Sequence, residues 1–238
     1  AYRTGSGLVR IFTCEENREI LQSRVPEAIM TTYASDEEAL AKLPEALDWA
    51  TVIGIGPGLG QNARTARLLT AVLQRGSCPL VIDADGINTL AALKQNGSVS
   101  SEYDSYGAPI ILTPHLKEME RLTGKKVAEI QNTLMETARE AADATHIFVL
   151  KDARTIVSDG SAPTYINMSG NNGMATGGSG DVLTGILCGL LAGGLSALEA
   201  ARLGVYCHGL AGDAAAKEKG YYGITAGDLL TYLPDIIR

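Results

Sequence analysis

The sequence predicts an α/β fold: one domain built on a mostly parallel central sheet flanked by helices. Three observations carry this. Short apolar runs alternate with stretches of helical periodicity, the pattern of βα units around a parallel sheet. The 27 glycines of the 238-residue chain cluster where such runs end, as in Gly54–Gly60 and Gly173–Gly180. A hydrophobic content of 45% supplies a substantial core. No repeat, low-complexity segment or linker divides the chain.

The chain opens on Ala1-Tyr2-Arg3-Thr4-Gly5-Ser6-Gly7, which reads as the tail of a helix stopped by glycine. The expectation is a fold whose first βα element is missing from this chain. Residues 8–13 and 51–55 read as strands, the second followed by a helix from about residue 62 to 74. Residues 79–82 form a buried strand and 87–94 a helix. After a strand at 110–112, Thr113 is expected to cap a helix with Pro114 at its first position. Residues 127–144 read as one long amphipathic helix. Strands come next at 147–151, 155–157 and 164–167, the last two joined by a hairpin turn at Asp159-Gly160. From Asp181 the chain is nearly all helix, with Thr225-Ala226-Gly227-Asp228 as a box-like cap. The apolar run 182–195 includes Thr184 and is too short to span a bilayer, so it reads as a buried central helix. Its Gly185, Gly189 and Gly193 give that helix one face for close packing.

A net charge of −7 disfavours non-specific binding to nucleic acid or to anionic membranes. It leaves anionic substrates open, because a helix N-terminus supplies its own positive potential. Cys14, Cys78, Cys188 and Cys207 are scattered without metal-like pairing. They predict reduced thiols and a cytoplasmic location, and no signal-peptide pattern is present.

The run Asn171-Asn172-Gly173-Met174-Ala175-Thr176-Gly177-Gly178-Ser179-Gly180-Asp181 is the most informative segment. Backbone amides freed by Gly177, Gly178 and Gly180 at a helix mouth suit a phosphoryl group. Asp181 falls in that helix's first turn, where a carboxylate next to phosphate serves a purpose if it takes a proton from a hydroxyl being phosphorylated. The plain alternative is a loop with Asp at a dipole-favoured position.

Four further motifs stand where strands meet loops, the usual ligand side of an open α/β sheet. Gly54-Ile55-Gly56-Pro57-Gly58-Leu59-Gly60 fails the dinucleotide fingerprint, since the sixth position is Leu59 counted from Gly54 and Gln61 counted from Gly56. It remains either a close backbone approach to a ligand or a tight turn. Asp83 and Asp85 at a strand end either orient hydrated Mg²⁺ or form an Asx turn and cap the next helix. His115 and Glu118 lie three apart at a helix start, on one face. Lys151 and Thr155 bracket a charged turn that either grips a nucleotide phosphate or is a solvated hairpin tip.

In order, Gly-Pro-Gly-Leu-Gly, Asp-Ala-Asp-Gly-Ile-Asn, Thr-Pro-His…Glu, Lys-x-x-x-Thr and Asn-x-Gly-Met-Ala-Thr-Gly-Gly-Ser-Gly-Asp resemble the ribokinase-like superfamily. Within it, the chain resembles the ADP/ATP-dependent NAD(P)H-hydrate dehydratases, the carbohydrate-kinase-like domain of the YjeF family, from Ala1 to its end. The resemblance implies a repair enzyme (a lyase) that phosphorylates the hydroxyl at ring carbon 6 of hydrated NADH or NADPH. Phosphate elimination then restores the reduced ring. It implies Asp181 as base and substrate contact, and Gly58, Gly60 and His115 as contacts of the hydrated dinucleotide. Lys151, Asp152, Ala153, Arg154, Thr155, Gly178 and Gly180 would bind ADP or ATP, with Gly178 and Gly180 stabilising the transferring phosphoryl. Glu118 would place Mg²⁺ through water. The resemblance further implies a homotetramer and an associated or fused NAD(P)H-hydrate epimerase domain. Asp152 stands where many relatives carry Gly, which bears on nucleotide preference. The family's opening strand and helix have no counterpart here. Two other functions use the same features: a kinase of a vitamin-precursor alcohol, and a non-catalytic nucleotide-binding regulatory module.

Overall fold

A computed structural model of the chain describes residues 1–237. After a single 3-10 turn (Tyr2–Thr4), stopped by Gly5 at φ 95°, come β1 (Arg10–Cys14), α1 (Arg18–Arg24), β2 (Ile29–Tyr33) and α2 (Asp36–Trp49). Then come β3 (Ile53–Ile55), α3 (Ala63–Arg75), β4 (Leu80–Ile82), α4 (Asp85–Gln95) and α5 (Ser100–Asp104). Next are β5 (Ile110–Leu112), α6 (Leu116–Thr123), α7 (Val127–Asn132), α8 (Leu134–Ala141) and β6 (His146–Leu150). The chain ends with β7 (Ile156–Ser158), β8 (Tyr165–Ile166), α9 (Ser179–Ala192), α10 (Ala197–Lys219) and α11 (Ala226–Ile236).

Strands β3 to β8 form a six-stranded sheet in sequence order, parallel from β3 to β6 and antiparallel through β7 and β8. Strands β1 and β2 pair in parallel as a separate two-stranded sheet. The central strands β4, β5 and β6 are wholly buried, whereas Ile53 and Ile55 of β3 and every residue of β1 are only partly covered.

Alternation along the strands sorts the core into two layers. Leu80, Ile82, Ile110, Leu112, Phe148 and Leu150 face one way, onto Leu69, Leu73, Ile87, Leu90 and Met119 of α3, α4 and α6. Val81, Ile111, Ile147 and Val149 face the other way, onto Leu183, Ile186, Leu187, Ala200, Ala201 and Val205 of α9 and α10. Each such fully buried Leu or Ile contributes about 1.5–3 kcal/mol over leaving it exposed. The sheet is therefore held rigidly from both sides, and the loops leaving the strands' carboxyl ends start from fixed positions.

The small-residue face of α9 packs closely, as its glycine spacing predicts. A Cβ on Gly189 would fall 1.7 Å from Thr4 Oγ1. Two expectations are corrected, and one region that the sequence left unread is filled. Thr113 and Pro114 do not start a helix: His115 is the cap, its Nδ1 accepting the amides of Lys117 and Glu118, so α6 begins at Leu116. The long helix expected over 127–144 is two, broken at Thr133, whose ψ of 39° leaves the helical region. Between residues 15 and 50 the sequence pattern predicts no element, yet α1, β2 and α2 lie there. Pro44 inside α2 obscures that helix, although Ser35 caps it by accepting from Glu38 N–H.

Candidate active site

The carboxyl ends of β3, β4, β5 and β6 lie side by side, and each leads into one of the motifs. After β3 comes the glycine loop, whose role is close approach to the neighbouring connection. Gly56 has φ 130°, and a Cβ there would sit 1.7 Å from the Asp83 carbonyl oxygen. Gly86 is close as well, its would-be Cβ 3.0 Å from Ile55 O. Gly60 N–H donates to Asp85 Oδ2 at 2.8 Å, and Gln61 Nε2 to Asp85 Oδ1 at 3.2 Å. Asp85 therefore anchors the glycine loop and does not cap α4, whose N-cap Ala84 makes no side-chain bond. Gly58, at φ 70°, faces open space.

After β4 stands Asp83, only 1% exposed. Its Oδ1 accepts from Lys151 Nζ at 2.8 Å and its Oδ2 from Thr184 Oγ1 at 2.8 Å. Burial opposes its ionisation, but the Lys151 ammonium and hydrogen bonds from Lys151, Thr113 and Thr184 outweigh it and hold the carboxyl below its ordinary range. Each oxygen accepts from a protein donor, and Asp83 does not cap α4.

After β5, His115 and Glu118 meet as their spacing predicts. His115 N–H donates to Glu118 Oε2 at 2.9 Å, and His115 Nε2 lies 3.3 Å from Glu118 Oε1. With Nδ1 accepting two amides, the imidazole proton belongs on Nε2. Glu118 is buried, and burial raises its carboxyl above the usual range against the pull of His115 and Lys151. His115 itself is exposed at the rim and bridges in parallel register to Lys151.

After β6, Lys151 turns inward to Asp83, while Asp152, Ala153 and Arg154 are exposed and Thr155 is half-buried. Of that segment only Lys151 reaches the carboxylate cluster; Arg154 Nη1 instead donates to Met168 O at 3.2 Å.

Over these strand ends comes the start of α9. Gly178, at φ 86°, is its N-cap and supplies no side-chain acceptor, leaving first-turn amides of Gly180 and Asp181 directed outward. A Cβ on Gly180 would lie 3.3 Å from Lys151 Nζ and 3.7 Å from Asp83 Oδ2, so the helix start rests directly on the ion pair. Asp181 is exposed at this mouth. Partial desolvation and then the Asp83 charge raise its carboxyl, against Lys151.

The loop leading into α9 is riveted to α10. Asp213 accepts from Gly170 N–H and Asn171 Nδ2, both at 2.9 Å. Gly209 and Gly212 leave room for Ser169 and Met174. His208 Nε2 donates to the Ser179 carbonyl at 2.9 Å; burial, aided by Lys151, pushes its pKa down to about 4 and keeps it neutral. Sequence reasoning missed Thr184 and His208. The signal for Thr184 was a hydroxyl one turn after Gly180 in an otherwise apolar helix; His208 carried none.

The family profile described as NAD(P)H-hydrate dehydratase matches residues 1–235. The chain belongs to the NAD(P)H-hydrate dehydratase family. Among relatives of this family, the bifunctional NAD(P)H-hydrate repair enzyme Nnr of Thermofilum pendens is 40% identical over 243 residues, spanning 99% of this chain and 45% of that protein. The Nnr protein of Moorella thermoacetica is 39% identical over 245 residues, spanning 100% of this chain and 45% of its own length. The chain thus spans about half the length of the curated relatives it matches. Among solved structures, the ADP/ATP-dependent NAD(P)H-hydrate dehydratase of Bacillus subtilis, co-crystallised with ATP/Mg²⁺ and soaked with CoA, matches with TM-score 0.82. That match is at 29% identity and covers 99% of this chain and 82% of that one. The fold is the ribokinase-like one.

Proposed function

We propose that this chain catalyses the ADP- or ATP-dependent dehydration of hydrated NADH or NADPH. The observation that carries the reading is Asp181 in an uncapped glycine helix start, directly over the Lys151–Asp83 pair. Asp181 takes the proton of the ring hydroxyl as that oxygen attacks the terminal phosphoryl group, and the nucleotide leaves one phosphate shorter. The outward amides of Gly180 and Asp181 accept the charge on the phosphoryl oxygens. Phosphate is a far better leaving group than hydroxide. The ring nitrogen's lone pair expels it, and loss of a proton from the neighbouring ring carbon completes the double bond. Positioning and charge control suffice for this second half.

Gly178, Gly180 and the segment Lys151, Asp152, Ala153, Arg154 and Thr155 line the nucleotide side. Gly58, Gly60 and the Nε2–H of His115 line the dinucleotide side. Among the described residues no three His, Cys, Asp or Glu side chains are grouped to hold a metal directly. Mg²⁺ bound through water and substrate phosphates needs no such cage, and the buried Glu118 carboxylate fits that outer role. When bound, the ion would neutralise charge on the phosphoryl group. A bifunctional relative twice as long supports pairing with an epimerase that interconverts the hydrate's epimers. A groove of Tyr165, Leu195, Leu203 and Tyr206, flanked by Glu199 and Arg202, supports self-association, in the homotetramer the resemblance implies.

The test is absorbance at 340 nm with full-length protein, NADPH hydrate, Mg²⁺ and either ADP or ATP. A nucleotide-dependent rise is expected, and the faster nucleotide names the donor. A flat trace with folded protein would refute the reading and favour phosphorylation of a vitamin-precursor alcohol.

A further inference from the structure

Asp83 is an expensive residue for the fold. It ends the central strand β4, among Leu80, Val81 and Ile82, and is 1% exposed. Taking a carboxylate and an ammonium out of water is costly, and an apolar pair of the same volume is often as stable or more so. The backbone around it is forced as well. Ala84, immediately after, has φ 49° and ψ −120°, a region alanine avoids, while Gly56 must lack a side chain to admit the Asp83 carbonyl. Strain of this kind persists where surroundings over-determine it and clusters at functional sites.

We infer that Asp83 is a positioning residue for phosphoryl transfer, anchoring the Lys151 ammonium beneath the α9 helix start and setting a second negative charge behind Asp181. The two oxygens have separate duties: Oδ1 holds Lys151, while Oδ2 is fixed by Thr184, on the α9 turn after Gly180. Glycine at position 180 lets that helix start settle on the pair without pressing a Cβ on the Lys151 ammonium. Lys151 is the cation acting on Asp83, Glu118 and Asp181 alike. Asp181 therefore faces Asp83 from the β4–α4 connection and Lys151 from the end of β6. Glu118 of α6 acts on the same pair, and neutral His208 of α10 lies behind Ser179.

A phosphate arriving at the α9 amides competes with Asp83 for Lys151. As the ammonium is drawn to the phosphate, Asp83 is left less neutralised beside Asp181, and Asp181 gains proton affinity. Nucleotide binding thus arms the base. The inference rests on the proposed reaction only for the role of Asp181.

The experiment is a ¹³C titration of the Asp181 carboxyl in full-length protein, with the pH profile of turnover alongside. In Asp83→Asn, which keeps the shape and can still hydrogen-bond, the Asp181 titration and the acid limb of turnover should both move to lower pH, by about one unit. In Lys151→Met, which leaves Asp83 unneutralised, the Asp181 titration should move to higher pH. Opposite shifts support the inference, and a titration unchanged in both variants overturns it. If Asp83→Asn does not fold, Lys151→Met decides by itself: an upward shift supports, and none refutes. Because the titration needs no turnover, opposite shifts in a protein inactive on NADPH hydrate would uphold the positioning role while refuting the proposed reaction.

Discussion

Helices α9 and α10 are consecutive in the chain and pack side by side on the same face of the sheet, yet they begin in opposite ways. At the start of α10, Ser196 accepts from Glu199 N–H while the Glu199 carboxylate takes Ser196 N–H, a complete capping box. The Ser196 and Glu199 amides are thereby satisfied by the protein's own side chains. The start of α9 is Gly178 in a left-handed conformation with no side-chain acceptor at all. Its first turn carries Asp181, a carboxylate raised rather than lowered. The two termini face the same four-amide problem. One is closed by side chains; the other is left open, as the proposed phosphate site requires.

That contrast breaks most sharply at Asp181. Asp181→Asn keeps the amides and the shape but cannot take the hydroxyl proton, so turnover should fall by about 10²–10⁴-fold with ADP affinity largely kept. Steady-state rates at 340 nm, with calorimetry for ADP, check this. Near-normal turnover would remove Asp181 as the base. Because the base works only when ionised and its carboxyl lies above the ordinary range, turnover should decline as pH falls through that raised value.

The next change fills the opening that makes α9 different. Gly180→Ala places a methyl 3.3 Å from Lys151 Nζ, where the ammonium or the helix start must shift. Here both nucleotide affinity and turnover should drop, by about 10-fold or more, since even a small misplacement of a positioned group is costly. Fluorescence or calorimetric titration with ADP reads the affinity. A variant that binds as well as the parent would mean the α9 amides are not the phosphate site.

The same contrast explains what was legible from sequence. Parallel strands 79–82 and 110–112 were visible because buried β-branched runs admit few other readings, and the structure has them at Leu80–Ile82 and Ile110–Leu112. The α9 start was visible because three glycines and an aspartate next to an apolar run have few structural uses. Less visible was anything whose meaning depends on a distant partner. Asp83 and Asp85 look alike in sequence, yet one is buried on Lys151, 68 positions away, and the other holds Gly60, 25 positions away. His115 gave away its place at a helix start but not its service as the cap, because an imidazole in that role is uncommon. The break at Thr133 lies between two amphipathic segments whose periodicity runs on across it.

The smallest expected effect tests the stable member of the pair. Ser196→Ala removes the hydroxyl that accepts Glu199 N–H and frees the Glu199 carboxylate from one of its partners. A lost N-cap serine costs about 1 kcal/mol, which in a domain of this size lowers Tm by about 2–4 °C. Turnover and ADP affinity should not change, because the cap follows the C-terminal end of α9, whereas Asp181 lies in its first turn. Thermal unfolding and the 340 nm assay on the same preparation separate the two. A Tm loss with intact activity marks α10 as a terminus built for stability. Lost activity at unchanged Tm would mean that the α9–α10 corner transmits to the phosphate site, and the division between the two helix starts would fail.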